Sequence, residues 1–99
     1  MSARKLDDNI GAMTKELLVA NKLGIHARPA ALFVKTANRF SSDIFVEKGS
    51  EKVNGKSIMG LLMLTAGPGT KLTIHAHGPD AHAAIGEIEA LIKRKFDED

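Results

Sequence analysis

The 99-residue chain contains no cysteine, no tryptophan and no tyrosine. The absence of cysteine excludes disulfides, thiolate metal sites and thiol catalysis, and it fits a reducing cytoplasm. Because four phenylalanines are the only aromatic residues, the core must be largely aliphatic. No segment reaches the roughly 20 apolar residues that span a bilayer, and residues 1–12 lack the apolar centre of a secretory signal peptide. We therefore expect a cytoplasmic protein without membrane insertion.

Neither sign of charge is in large excess. The chain has 14 Lys and Arg against 12 Asp and Glu, a net charge of +2, and these residues are scattered along it. Proteins that bind nucleic acid usually cluster basic residues on one face and add stacking aromatics, so nucleic acid is not an expected partner. The sequence shows no glycine-rich nucleotide loop, no Ser-His-Asp order and no catalytic carboxylate pair, and it predicts neither a cofactor nor an enzyme.

The hydrophobic pattern predicts one domain at residues 13–99, after a polar and flexible tail at residues 1–12. Period-two patterning and short apolar runs predict strands at residues 17–20, 43–47, 51–54 and 70–77. Helices are predicted from Ala30 to about Ser41, at residues 58–64, and after Asp80. The order β-α-β-β-α-β-α predicts an α+β open-faced sandwich, in which three helices cover one face of a four-stranded antiparallel sheet.

A histidine lies at the predicted start of the first helix, in the segment GIHARPA at residues 24–30. Pro29 is typical of a first helical turn, where unpaired amides and the positive end of the helix dipole favour a phosphate. His26 can carry a phosphoryl group covalently, and the amides of Ala27 and Arg28 with the Arg28 guanidinium would stabilise it. From the spacing alone, His26 as a mere helix cap and Arg28 as a surface charge stay open.

The second informative segment begins at Ser57, a residue type that caps helices. A phosphoserine there would be tolerated because the helix dipole favours negative charge, so modification by a kinase would act mainly on partner binding. A plain structural cap is the alternative. In the apolar run that follows, we expect two leucines, Leu61 and Leu64, to face the core. The outward residues would form a docking surface for partners, unless loops cover them; they are Ile58, Met59 and Leu62.

The remaining histidines do not predict a metal site. His75 and His77 lie on the same side of a predicted strand. No thiol or carboxylate ligand stands at an obvious spacing from them. We therefore expect these two residues and His82 to face solvent.

Two motifs resemble the HPr family, the histidine-containing phosphocarriers of the bacterial phosphoenolpyruvate-dependent phosphotransferase system. They are GIHARPA with the following ALFV, residues 24–34, and VNGKSIMGL, residues 53–61. The resemblance covers residues 15–96 and implies the same sandwich fold. It implies that His26 accepts a phosphoryl group on its δ nitrogen from phosphorylated enzyme I and passes it to a histidine of an enzyme IIA domain. Arg28 would stabilise the phosphate and Pro29 would fix the turn.

The resemblance further implies that an HPr kinase/phosphorylase modifies Ser57. It also places Ala31, Ile58, Met59 and Leu62 on the family's partner-docking surface. A carrier of the nitrogen-related branch is one alternative. A regulatory module that acts through phosphoserine, as in HPr-like proteins without the histidine, is another, and the presence of His26 argues against it. We expect a monomer, because a transient carrier must keep its docking surface accessible.

Overall fold

A four-stranded antiparallel sheet and three helices form the two layers of the computed structural model, which describes residues 11–98. The strands are β1 (Ala12–Leu18), β2 (Asp43–Lys48), β3 (Glu51–Asn54) and β4 (Lys71–His77), in the spatial order β1-β4-β2-β3. The helices are α1 (Ala27–Ala37), α2 (Ile58–Met63) and α3 (Ala81–Lys93), followed by a 3₁₀ turn (Lys95–Asp97). The predicted α+β open-faced sandwich is confirmed; the final turn was not predicted.

Alternation along the strands makes one face of the sheet apolar, as the pattern predicted. In β2, Ile44 and Val46 are buried, while Phe45 on the opposite face remains 38% exposed. β4 sits between β1 and β2 and buries every second side chain; these are Leu72, Ile74 and Ala76. Within residues 11–98 no helix covers the opposite face of the sheet, which carries most of the polar side chains of the strands.

The helices close the core over the apolar face of the sheet. α1 buries Ala30, Phe33 and Ala37 at helical spacing. The whole predicted apolar face of α3 is buried, and it consists of Ala81, Ala84, Ile85, Ile88, Leu91 and Ile92. None of the helices in the described part of the chain combines the length and the apolar character needed to cross a bilayer.

Strand β1 differs from its prediction, since it runs over Ala12–Leu18 rather than residues 17–20. The alternation of apolar and polar residues in β1 was not recognised in the sequence, because Lys15 occupies a core-facing position of this edge strand. Its ammonium reaches Glu89 of α3 at 3.1 Å, so the aliphatic stem covers the core while the charge stays near water. Ala12, assigned to the tail by the sequence, pairs with His77. The rest of the predicted tail, residues 1–10, lies outside the described residues.

Helix α1 also differs at both ends. It begins at Ala27 rather than Ala30, so the two residues before Pro29 belong to its first turn. It ends at Ala37 with Asn38 as its C-cap, several residues before the predicted end near Ser41. The apolar period that predicted the helix is absent from its first turn, which explains the shift in the start.

Candidate functional site

The loop before α1 is held in place by a glycine that no other residue could replace without strain. Gly24 has a φ of +70°, and a Cβ built on it would lie 2.4 Å from the carbonyl oxygen of Ala66. The close approach lets the next amide, that of Ile25, donate to the same Ala66 oxygen at 2.8 Å. Because the Ile25 side chain is buried in the core, the position of the following residue, His26, is set by the fold.

His26 is the N-cap residue of α1, but its side chain makes no capping hydrogen bond. Its carbonyl oxygen accepts the first intrahelical hydrogen bond from Ala30 at 3.0 Å. The amides of Ala27 and Arg28 therefore precede that bond and lie at the positive end of the helix. The imidazole is 38% exposed, so it is accessible beside these amides.

A carboxylate that the sequence did not predict completes the site. Oε1 of Glu98 accepts from Asn21 Nδ2 at 2.8 Å and lies 3.1 Å from His26 Nε2. Oε2 lies 3.3 Å from the same ring nitrogen and accepts from Arg28 Nη1 at 3.1 Å. The hydrogen bonds from Asn21 and His26 hold the pKa of Glu98 below its ordinary value. Three side chains, those of Asn21, His26 and Arg28, thus meet around the Glu98 carboxylate.

Arg28 is part of this cluster rather than an isolated surface charge. Its Nη1 atom donates both to Glu98 and to the carbonyl oxygen of Phe96, each at 3.1 Å. About half of the side chain remains exposed. The guanidinium therefore links the first turn of α1 to the C-terminal turn and keeps further donors available to an incoming anion.

Asn21 is the second functional candidate that the sequence did not reveal. It is fully buried, and its Nδ2 atom donates to the carbonyl oxygen of Gly24 at 2.8 Å as well as to Glu98. Its Oδ1 atom has no hydrogen-bond partner among residues 11–98. The amide must nevertheless point this way, since the flipped orientation would set Oδ1 against two acceptor oxygens.

Ser57 and the apolar surface lie on α2. The predicted cap is confirmed, because the Gly60 amide donates to the Ser57 hydroxyl at 3.0 Å. Leu61 and Leu64 are buried as predicted. Of the predicted surface residues, Ala31, Ile58 and Met59 are exposed, whereas Leu62 is half-buried and packs against the core. The pattern missed three further exposed apolar side chains, which are Leu18, Leu23 and Met63.

The other histidines lie away from this site. His75 is half-buried on the open sheet face rather than simply solvent-facing, with Nε2 2.7 Å from Glu47 Oε1 and Nδ1 3.2 Å from Thr14 Oγ1. His77 and His82 are exposed. Within residues 11–98, no group of three or more His, Cys, Asp or Glu residues is arranged to hold a metal ion.

Comparisons with known proteins agree on the region that contains His26. The family model described as "PTS HPr component phosphorylation site" matches residues 13–94. The phosphocarrier protein HPr of Treponema pallidum is 45% identical over 87 residues, which cover 88% of this chain and 99% of that protein. The HPr-like protein Crh of Bacillus subtilis is 50% identical over 74 residues, or 75% of this chain and 87% of the relative.

Solved structures of HPr proteins also superpose on this chain. The crystal structure of HPr-C-His from Thermoanaerobacter tengcongensis superposes with a TM-score of 0.85 at 47% identity, covering 88% of this chain and 98% of the other. The phosphocarrier protein HPr of Bacillus anthracis superposes with a TM-score of 0.79, also at 47% identity, covering 82% and 96%. At 47% identity the similarity to these two proteins is one of sequence as well as of fold.

Proposed function

Because the chain belongs to the HPr family of phosphocarrier proteins, we propose that it carries a phosphoryl group on His26 from phosphorylated enzyme I to an enzyme IIA domain of the sugar phosphotransferase system. It is a carrier rather than a catalyst. The phosphate therefore has to be held long enough to be delivered and loosely enough to leave again.

The position of the His26 ring at the opening of α1 is the observation that carries this proposal. Its Nδ1 atom makes no hydrogen bond within residues 11–98, whereas Nε2 is engaged by Glu98. A nucleophile needs a free lone pair, and the absence of a hydrogen bond to Nδ1 within residues 11–98, on a side chain that is 38% exposed, fits that need. The neighbouring amides of Ala27 and Arg28, with the Arg28 guanidinium, are suited to receive the phosphoryl oxygens, and Pro29 keeps the first turn rigid.

The apolar surface on α1 and α2 supports docking of both partners. Ile58 is 41% and Met59 69% exposed, and Ala31 is exposed on α1, which packs against α2. Exposed methionine adapts to differently shaped partners, which suits a carrier that must bind enzyme I and then an enzyme IIA domain. We propose that the carrier works as a monomer in the cytoplasm, with this surface open to each partner in turn.

We also propose that an HPr kinase/phosphorylase modifies Ser57. The hydroxyl caps α2 directly before Ile58, so a phosphate there would add charge next to the docking surface. The fold would tolerate it, since negative charge is favourable at a helix N-terminus.

Relatives with the HPr and the Crh names are similarly close to this chain, so the alternative of a purely regulatory module needs a test. The presence of a partly exposed histidine at position 26 favours the carrier. The nitrogen-related branch of the system is the other alternative, and the enzyme I paralogue that phosphorylates the chain faster distinguishes the two branches.

The decisive experiment is incubation with phosphoenolpyruvate and enzyme I, followed by mass analysis and a test of acid lability. We expect one acid-labile phosphate, its loss in His26→Ala, and its retention in the control His82→Ala, which removes an exposed histidine elsewhere. Full labelling of His26→Ala would overturn the carrier proposal.

A further inference from the structure

Glu98 engages the ring nitrogen that phosphoryl transfer does not use. Its two carboxylate oxygens lie 3.1 and 3.3 Å from His26 Nε2, on the far side of the ring from Nδ1. Glu98 also lies outside residues 13–94, which the family model matches. The contact joins the histidine to the C-terminal turn of the described chain.

We propose that Glu98 is a positioning residue for phosphoryl transfer: its carboxylate holds His26 in the tautomer with the proton on Nε2, so that Nδ1 presents its lone pair to the donor. The proposal rests on the proposed function, because it concerns the same histidine. It adds the group that selects the reacting nitrogen.

The chemistry of the carboxylate decides where the proton lies. An ionised carboxylate can only accept hydrogen bonds, and Glu98 is ionised at neutral pH, since an ordinary glutamate titrates near pH 4.3 and its neighbours lower the pKa further. The atom facing it, His26 Nε2, must then carry the hydrogen. In a neutral imidazole the second nitrogen is left as the acceptor, with its lone pair exposed.

Glu98 is held rigidly enough to impose this choice. Asn21 and Arg28 donate to its two oxygens, so the carboxylate cannot rotate away without losing both bonds. The preceding residues Lys95–Asp97 all have left-handed backbone angles, with φ of 59°, 56° and 59°. Three such residues in a row persist only where contacts enforce them, and the buried ring of Phe96 provides one of those contacts.

The same contact favours the transfer step itself. The Nδ1 lone pair forms the bond to phosphorus while the bond from phosphorus to the donor breaks, and that electron pair leaves with the donor. Nε2 keeps its proton, so the ring gains positive charge as the new bond forms. The Glu98 carboxylate is placed to stabilise that charge, as an aspartate does for the histidine of a serine-protease triad. On delivery the bond to Nδ1 breaks and the ring is neutral again, without any proton having moved.

The first test reads the tautomer directly, from the ring ¹⁵N chemical shifts of the full chain at about pH 8.5, where an ordinary histidine is neutral. In the wild type we expect the His26 proton on Nε2. In Glu98→Gln the side-chain amide can donate to Nε2, so a measurable fraction should move to the form with the proton on Nδ1. The matched control is Asp97→Asn, which removes one carboxylate from the neighbouring residue, where it pairs with Arg94 instead; its ring spectrum should match the wild type.

The second test measures phosphorylation by enzyme I and phosphoenolpyruvate. We expect Glu98→Gln and Glu98→Ala to accept phosphate about tenfold more slowly, the size of effect expected for loss of one charge-assisted hydrogen bond. Asp97→Asn should react at the wild-type rate. Glu98→Ala is needed because the glutamine of Glu98→Gln could still accept a hydrogen bond from Nε2 through its side-chain oxygen. Alanine has no side-chain acceptor.

Two results would overturn the proposal. One is an unchanged ring spectrum in both Glu98 variants. The other is a rate equal to or above that of the wild type, and a higher rate would mean that Glu98 competes with the phosphate for Arg28. If even the wild type fails to label on His26, the proposed function fails separately, and the ring spectrum alone then decides whether Glu98 sets the tautomer.

Discussion

Two carboxylates, those of Glu98 and Asp80, hold distant parts of the chain together by accepting several hydrogen bonds each. Glu98 collects donors from the loop before α1 and from its first turn. Asp80 does the same at the other end of α1, where it accepts from the amides of Ser41 and Ser42, each at 2.9 Å, and from the Ser42 hydroxyl. Because these hydrogen bonds lower the pKa of both carboxyl groups, both stabilise the fold more as anions, and their contribution depends on pH.

Asp80 allows a specific prediction for acid stability. The hydrogen bonds from Ser42 and Ser41 lower the pKa of Asp80 from 3.8 to about 2. Because the folded-state pKa is depressed, the stabilisation is fully present above about pH 4 and is lost as the pH falls through about 2. Asp80→Asn should therefore lower the urea midpoint at pH 7 and flatten its decline between pH 4 and pH 2.

Urea unfolding followed by circular dichroism at several pH values measures this. The control is Glu51→Gln, an exposed carboxylate on β3, whose unfolding should keep the wild-type dependence on pH. If Asp80→Asn and the wild type lost stability in parallel on acidification, the hydrogen bonds to Asp80 would not be the source of the effect.

The loop that leads into α1 is an element whose shape depends on one close contact. Gly24 and Gly69 both have positive φ, of 70° and 84°. A Cβ on Gly69 would meet nothing within 4 Å, whereas one on Gly24 would lie 2.4 Å from a backbone oxygen of Ala66. An alanine at position 69 would therefore meet only the unfavourable φ, whereas an alanine at position 24 would also overlap with the backbone of Ala66.

We expect Gly69→Ala to cost about 1 kcal/mol of unfolding free energy, the size of effect expected from an unfavourable φ alone. Gly24→Ala should cost about 1–3 kcal/mol more, the range for an overpacked site, and should slow phosphorylation because it displaces His26. Chemical denaturation of both variants measures the difference. Equal losses would show that the Ala66 contact imposes no penalty.

Helix α2 couples the proposed modification to the docking surface. Aspartate is a good N-cap, so Ser57→Asp should retain the wild-type melting temperature within a few degrees. Its charge beside Ile58 and Met59 should slow transfer from enzyme I. Ser57→Ala is the matched control, expected to lose about 1 kcal/mol of stability through the missing cap but to accept phosphate normally. A wild-type rate for Ser57→Asp, measured with phosphoenolpyruvate and enzyme I, would contradict the proposed regulation.

The elements that the sequence predicted well are those with an uninterrupted aliphatic period. The buried face of α3 and the alternation of β4 needed only that period. The prediction of residues 17–20 for β1 missed residues 12–16, where Lys15 interrupts the apolar face, and added residues 19–20 beyond its end. The contact between Asn21 and Glu98 joins residues 77 positions apart, and no local pattern predicts such a pairing. The left-handed turn before Glu98 contains no glycine that would have signalled it.

At the scale of the whole molecule, Phe96 links the site around His26 to the hydrophobic core. Phe96 is fully buried with the sheet and helices, while its carbonyl oxygen accepts from Arg28. The C-terminal turn is thereby anchored from inside the core, although the carboxylate that follows it lies at the surface. Loss of that anchor should affect both global stability and the geometry at His26.

Phe96→Ala tests this coupling. Truncating a fully buried phenylalanine costs about 3–5 kcal/mol, whereas Phe45→Ala, on the open sheet face and 38% exposed, should cost about 1 kcal/mol or less. Since three left-handed residues lose their anchor, the folded fraction of Phe96→Ala should also release Glu98 and show the altered ring spectrum expected for Glu98→Gln. Phe96→Leu, which keeps an apolar anchor, should retain the wild-type spectrum. A destabilised Phe96→Ala with an unchanged His26 tautomer would show that Asn21 and Arg28 hold Glu98 without help from the core.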